Sequence, residues 1–159
     1  MRALDAHLQE PTPGTYVLRY VLDADLSRLR IPGTRPSHHV DGLWKHTCFE
    51  MFVRKATDAP AYYELNASPS TEWAIYTFDG YHQNMAPVSS ERPPRIRVTH
   101  EPNRLEIEIR ADLRGLPHAA EIALAAVIED DNGTLSYWAL KHAASKPDFH
   151  HPDSFVLKP

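Results

Sequence analysis

Two glutamates, Glu50 and Glu64, are the side chains of this sequence best suited to act in a binding site. Each lies in a short segment in which apolar and polar residues alternate, 46–53 and 62–67, and each has aromatic residues close by. An aromatic ring can cover the apolar face of a sugar, while a carboxylate accepts hydrogen bonds from its hydroxyl groups. The sequence therefore favours a saccharide site. The same two carboxylates could instead be the acid and the nucleophile of a glycosidase, and that alternative stays open.

Three tryptophans are the candidates for stacking on such a ligand. Trp44 follows a polar Asp-Gly pair and precedes Lys45 and His46, so we expect it to be exposed, whereas a buried core position is the alternative for each tryptophan. Two aromatic side chains that face each other form a slot for a flat ligand. The predicted ligand-binding residues are Trp44, Glu50, Glu64, Asn66, Trp138 and His142, with Trp73 and Tyr81 at the rim.

Other chemistries receive less support from the residues. His150, His151 and Asp153 could hold a metal ion, but their spacing matches no established zinc pattern, and we expect no metal. The single cysteine, Cys48, excludes an intrachain disulfide and is predicted to be a small buried hydrophobe. The sequence contains no Gly-rich phosphate loop, no Gly-x-Ser-x-Gly and no Cys-x-x-Cys motif, so we expect no cofactor.

The elements that must position these residues are short strands. Alternation with period two, which is typical of a strand with one buried face, recurs along the chain, whereas the segment 121–129 is apolar and is predicted to be a central strand. The 14 prolines argue against long helices. A tight turn is predicted at Asn132-Gly133, and a long loop over 80–94. The predicted strands are 15–23, 46–53, 62–67, 72–79, 95–100, 104–110, 121–129, 135–140 and 154–158. This pattern predicts an all-β fold, an antiparallel sandwich of the jelly-roll or immunoglobulin-like type, as one domain over 1–159.

Composition limits the partners. The chain has 159 residues and a formal net charge of −4, which gives no reason to expect nucleic acid or an anionic membrane as a partner. The first ten residues lack the apolar core of a signal peptide, and no stretch is long enough to cross a membrane. We expect a cytoplasmic protein, with a domain of a secreted protein as the alternative. The sequence leaves the oligomeric state open.

Segments 43–53 and 62–69 together resemble the signature of the family nine carbohydrate-binding modules, which belong with the DOMON-like domains. Segments 136–140 and 147–155 are similar to the end of a small, uncharacterised bacterial branch of DOMON-like proteins. The resemblance covers nearly the whole chain. It implies an antiparallel β-sandwich that binds sugar without changing it.

The resemblance also implies roles for particular residues. In the sugar-binding members two tryptophans clamp a glucose or the end of a disaccharide; Trp44 and Glu50 match that motif, and Trp138 matches the second tryptophan by its place in a late strand. The sequence departs from the family at His46-Thr47, where an acidic pair is expected, and near Leu135, where a polar residue is expected.

Two alternatives to sugar binding follow from the same resemblance. Other DOMON domains bind haem through Met and His, for which Met51, Met85 and His142 would be the candidates here. The last alternative is a protein-interaction domain with a vestigial pocket.

Overall fold

The structure, a computed structural model, describes residues 3–55, 60–114 and 121–158. Strands dominate these residues, and the helical parts are single 3₁₀ turns at Leu26–Arg28, Leu43–Lys45 and Pro152–Ser154. The strands are β1 (Ala3–Thr12), β2 (Thr15–Asp23), β3 (Cys48–Arg54), β4 (Tyr62–Ala67), β5 (Trp73–Phe78), β6 (Ala86–Pro87), β7 (Arg95–Glu101), β8 (Arg104–Asp112), β9 (Glu121–Glu129) and β10 (Leu135–Ala139).

The strands form two antiparallel sheets. The first has the order β1-β2-β8-β7 and the second the order β10-β9-β3-β4-β5-β6. Every neighbouring pair is antiparallel, and the hairpin around Pro102 pairs Ile96 with Ile109 and Val98 with Ile107. The structure confirms the predicted all-β class and the antiparallel sandwich.

The main core lies between the two sheets. Alternate residues of each strand point into it, as the two-residue period of a strand requires. Fully burying one large apolar side chain stabilises the fold by about 2 kcal/mol. The largest contributors are Tyr16, Leu18, Tyr20 and Leu22 from β2, Leu105, Ile107 and Ile109 from β8, and Phe49, Met51, Leu65, Trp73, Ile75, Ile122 and Leu124 from the six-stranded sheet.

A second apolar cluster covers the other side of the six-stranded sheet, which we call the outer face. Leu43, Phe149 and Phe155 pack there against Phe52 and the alternate residues of the neighbouring strands. All six residues 48–53 of β3 are buried as a result. The expectation of one buried face for this strand is therefore wrong, because two irregular segments, 40–44 and 149–155, cover the face that would otherwise meet solvent.

Three elements differ from the sequence-based expectation. Residues 80–94, predicted as a loop, contain the short strand β6 (Ala86–Pro87), which pairs with β5. Residues 154–158 do not form a strand: Pro152 begins a 3₁₀ turn capped by the His151 side chain, and only Leu157 forms an isolated bridge, with Ile122. The sequence predicts no strand over residues 3–12, yet they form β1 against β2. This strand lies at a sheet edge and is partly exposed, so its sequence lacks the strong apolar alternation of the inner strands.

Candidate functional site

A pocket of about 600 Å³ opens on the outer face of the six-stranded sheet. Its floor comes from β3, β4, β5 and β9, and its walls come from the turn at 43–45, the loop after β5, strand β10 and the segment 147–150. The lining residues are Trp44, Glu50, Glu64, Phe78, His82, Met85, Val127, Tyr137, Pro147, Asp148, Phe149 and His150.

Strand register brings Glu50 and Glu64 to the same floor. β3 pairs with β4 so that Glu50 lies opposite Asn66 and Phe52 lies opposite Glu64. Because side chains alternate across a sheet, both glutamates point to the outer face and occupy diagonal positions on adjacent strands. Each is only 3% exposed. The sequence-predicted pair of carboxylates is thus brought together at the bottom of one cavity.

The two carboxylates differ in their hydrogen bonds. Glu64 Oε1 accepts a hydrogen bond of 2.8 Å from Asn66 Nδ2, and Glu64 Oε2 lies 3.7 Å from His150 Nε2. Glu50 Oε1 and Asn66 Oδ1 are buried and find no hydrogen-bond partner among the described residues. A buried polar atom without a partner costs free energy, so the floor of the pocket is prepared to accept hydrogen bonds that the chain itself does not supply.

Burial shifts the titration of both carboxyl groups. It raises the pKa of Glu64 to about 7, partly offset by the hydrogen bond from Asn66. Burial, together with the neighbouring charge of Glu64, raises the pKa of Glu50 well above its ordinary value. Two carboxylates this close do not both ionise readily, so the pair retains a proton near neutral pH.

The wall opposite the turn at 43–45 is a network of aromatic and polar side chains. The Tyr62 hydroxyl lies 2.7 Å from His150 Nδ1, and burial lowers the pKa of His150 to about 4, which leaves this imidazole neutral at pH 7. Asp148 accepts a hydrogen bond from the Tyr81 hydroxyl and, at 3.2 Å, contacts His82 Nε2. The network ties the loop after β5 to the segment at 147–150.

Aromatic rings form the remaining walls. Trp44 is half-buried, and its ring meets the edge of Tyr76 at a centroid distance of 5.7 Å. Gly42 precedes it with a φ of 80°, a left-handed conformation that turns the chain onto the outer face. On the β10 side Tyr137 is 43% exposed, and its ring lies 6.1 Å from that of Phe149. These faces can stack on a ligand that lies on the floor.

The predicted pair of tryptophans is not brought together. Trp138 is opposite Ala126, whose side chain faces the core between the sheets, so Trp138 lies on the other face of the sheet from the pocket. It lies beside Leu4, Ala6 and Tyr20 there. Its neighbour Tyr137 is the residue of β10 that lines the pocket, opposite Val127.

Several other predicted site residues lie away from the cavity. Trp73 is 6% exposed and belongs to the core between the sheets, not to the rim. Asn66 is fully buried and supports Glu64 instead of lining the cavity. His142 is exposed and touches the pocket only indirectly, through a ring contact with Phe149. Tyr81 is exposed and is not among the described lining residues, but its hydroxyl donates a hydrogen bond to Asp148, which is.

The residues that would serve a haem or a metal are not clustered. Met51 points into the core between the sheets, whereas Met85 lies at the pocket on the outer face, so the two methionines are separated by the sheet. Within residues 3–55, 60–114 and 121–158, no group of three or more His, Cys, Asp and Glu side chains is arranged to hold a metal ion. The described part of the chain also has no helix long and apolar enough to cross a membrane.

Sequence reasoning missed Tyr137, Phe149 and the functional placement of His150 and Asp148. The two-residue alternation of β10 would place Tyr137 and Trp138 on opposite faces, but it does not say which face carries the pocket. Segment 147–150 has no periodicity that could have shown where it packs.

One solved structure supports the fold. The chain is similar to the crystal structure of a protein from Bacteroides uniformis ATCC 8492 that has the provisional name of carbohydrate-binding protein, with a TM-score of 0.61 and 15% sequence identity. The match covers 96% of this chain and 75% of that one. Comparison with protein-family models gives no match, and neither does comparison with curated proteins.

Proposed function

We propose that this chain is a non-catalytic carbohydrate-binding domain that holds a mono- or disaccharide in the outer-face pocket. The observation that carries the proposal is the buried Glu50–Glu64 pair, with Glu50 Oε1 lacking a partner among the described residues, on the floor of an open cavity with aromatic walls. The provisional name of the Bacteroides uniformis protein, which has a similar fold, agrees with this function. A relationship to the family nine modules and the DOMON-like domains is part of the same proposal and rests on the sequence resemblance alone.

The chemistry of the floor and walls matches that of a sugar. Carboxylate oxygens accept hydrogen bonds from hydroxyl groups, and charge-assisted bonds of this kind are the stronger ones. Trp44 and Tyr137 supply aromatic faces from the two sides, so the slot we propose is formed by these two residues, not by Trp44 and Trp138. The cavity of about 600 Å³ falls within the usual size of small-molecule sites.

Binding without hydrolysis is favoured by where the carboxylates lie. A glycosidase needs its two carboxyl groups on either side of the scissile bond, one ionised and one protonated. Here both project from adjacent strands of one floor. Incubation with oligosaccharides should accordingly release no new reducing ends, and the appearance of product would replace the binding function with a glycosidase.

Calorimetric titration with a panel of mono- and disaccharides tests the proposal. Trp44→Ala should weaken binding by about tenfold or more, since it removes one stacking face. The matched control is Trp138→Ala, which removes a tryptophan from the opposite face and should leave the affinity unchanged. Failure of the whole panel to bind would contradict the proposal and favour a protein-interaction domain, as would equal losses in both variants.

A further inference from the structure

The pocket that we propose for a saccharide is rich in carboxyl groups. Of the described residues that line it, Glu50, Glu64 and Asp148 carry carboxyl groups, and none is a lysine or an arginine. Surface pockets usually pair such groups, because an uncompensated buried carboxylate is costly. The three carboxyl groups differ in the hydrogen-bond partners that the chain itself provides for them.

Two of the three carboxyl groups have partners. Asp148 accepts hydrogen bonds from the Tyr81 hydroxyl and, at 3.1 Å, from the backbone N–H of His150, and it lies within 3.2 Å of His82 Nε2. Glu64 has the amide of Asn66. The carboxyl group in the wall and one of the two in the floor therefore have hydrogen-bond partners within the chain.

Glu50 is different. Its Oε1 has no partner among the described residues, although the side chain is only 3% exposed and lines the cavity. The group beside it is the Cys48 thiol, which is fully buried and a weak donor. Among the described residues, the floor next to Glu50 therefore has no strong hydrogen-bond donor, and it has no cation that would let both glutamates ionise.

A protonated amine supplies both at once. An ammonium group donates three hydrogen bonds, neutralises a carboxylate, and is attracted to the faces of Trp and Tyr rings. A hydroxyl group donates one hydrogen bond but brings no charge, so the pair of glutamates keeps its shared proton. Trp44, Tyr137 and Phe149 provide such rings around the same floor.

We propose that the ligand of the pocket is an amino sugar, a saccharide unit bearing a free, protonated amino group that binds at Glu50 and Glu64. This inference rests on the proposed function and specifies its ligand class.

The test compares sugars that differ in one substituent. Glucose, its 2-amino form and its 2-acetamido form are titrated in the calorimeter, together with the matching galactose series and the matching β-1,4-linked gluco disaccharides, with EDTA present to exclude a bridging metal ion. The free amine should bind at least about tenfold more tightly than the hydroxyl and acetamido forms of the same sugar. Glu50→Gln should reduce that preference to about threefold or less, while Trp138→Ala should preserve it.

The outcomes separate the two proposals. If neutral or acetylated sugars bind as tightly as the amines, the carbohydrate-binding function stands and the amino-sugar inference is overturned. The amino-sugar inference is also overturned if the preference for the amine survives in Glu50→Gln. If no sugar of any series binds, both proposals fail.

Discussion

At the scale of single residues, Glu50 and Glu64 are the side chains on which both the proposed binding site and the pH dependence of stability depend. Their types and spacing mark them in the sequence, and the strand register does place them together on one floor. Their burial makes them costly to ionise, so they should affect the stability of the protein as well as its binding. The pH dependence of unfolding therefore reports on this pair.

Glu64→Gln should stabilise the protein at pH 8. Burial raises the pKa of Glu64 from an ordinary value of 4.5 to about 7, so the folded state binds the extra proton between those values. The stabilisation from that proton is complete below pH 4.5 and is lost as the pH rises through 7. The variant should be more stable than the parent by up to about 3 kcal/mol at pH 8 and about equal to it near pH 4.5, by urea denaturation.

His150 makes the free energy of unfolding depend on pH in the opposite direction. Burial lowers its pKa from 6.5 to about 4, so its contribution to stability is lost as the pH falls from 6.5 toward 4. In the parent protein, the effects of Glu64 and His150 on stability partly cancel as the pH falls. In Glu64→Gln only the effect of His150 remains, so the free energy of unfolding should decrease visibly at acid pH. Glu101→Gln, at an exposed position, is the control and should change stability by less than about 0.5 kcal/mol. A Glu64→Gln variant that is less stable than the parent at pH 8 would show that the carboxylate is ionised and well paired.

The sequence could identify these carboxylates and Trp44, but it could not choose between Tyr137 and Trp138. Period two assigns alternate residues to opposite faces, and β3, β4 and β5 follow it as predicted. For β10, however, neighbouring residues are both aromatic, and the choice of face depends on pairing with β9 and on a covering segment far along the chain. A family resemblance that matches tryptophans by their place in a strand does not resolve a difference of one residue.

At the scale of elements, the segment 147–157 is the one that forms a wall of the pocket and covers the outer face beside it. It has little regular structure beyond one 3₁₀ turn and one bridge, yet Phe149 and Phe155 cover the outer face and His150 contacts Glu64. The sequence favours a final strand here because Phe155, Val156 and Leu157 are apolar. Pro152 and the His151 cap instead end the extended chain, so that Phe155 turns down onto Phe52.

Phe155→Ala should therefore destabilise the protein and weaken ligand binding together. Phe155 is 7% exposed, packs on Phe52 and Tyr62, and lies under the guanidinium of Arg54 at 4.8 Å. Its truncation should cost about 3 kcal/mol in urea denaturation. Val156→Ala is the matched control, since the neighbouring side chain is 43% exposed and should cost less than about 1 kcal/mol. Equal costs for the two substitutions would mean that the segment does not pack on the outer face.

At the scale of the whole molecule, the two sheets share one core, and the outer-face cluster is built on the same six-stranded sheet. The antiparallel sandwich could be predicted because inner strands show period two and turns are marked by Gly, Pro and Asn. The edge strand β1 and the covering segments could not, because their positions depend on tertiary contacts and not on local pattern.

The prediction of one domain leads to one cooperative unfolding transition. In a Trp44→Phe, Trp138→Phe double variant, Trp73 alone reports on the core between the sheets. Its emission and the far-ultraviolet circular dichroism should change at the same urea concentration. Two separate midpoints would show that the sheets, or the covering segments, unfold independently.

The central claim is that the outer-face pocket binds a saccharide, and tryptophan fluorescence tests it most directly. Of the three tryptophans, Trp44 lines the pocket, Trp73 lies in the core and Trp138 lies on the opposite face. Titration with the saccharide panel should give a saturable change in emission in the parent and in Trp138→Phe, and none in Trp44→Phe. No change with any saccharide, or a change that persists in Trp44→Phe, would contradict the account.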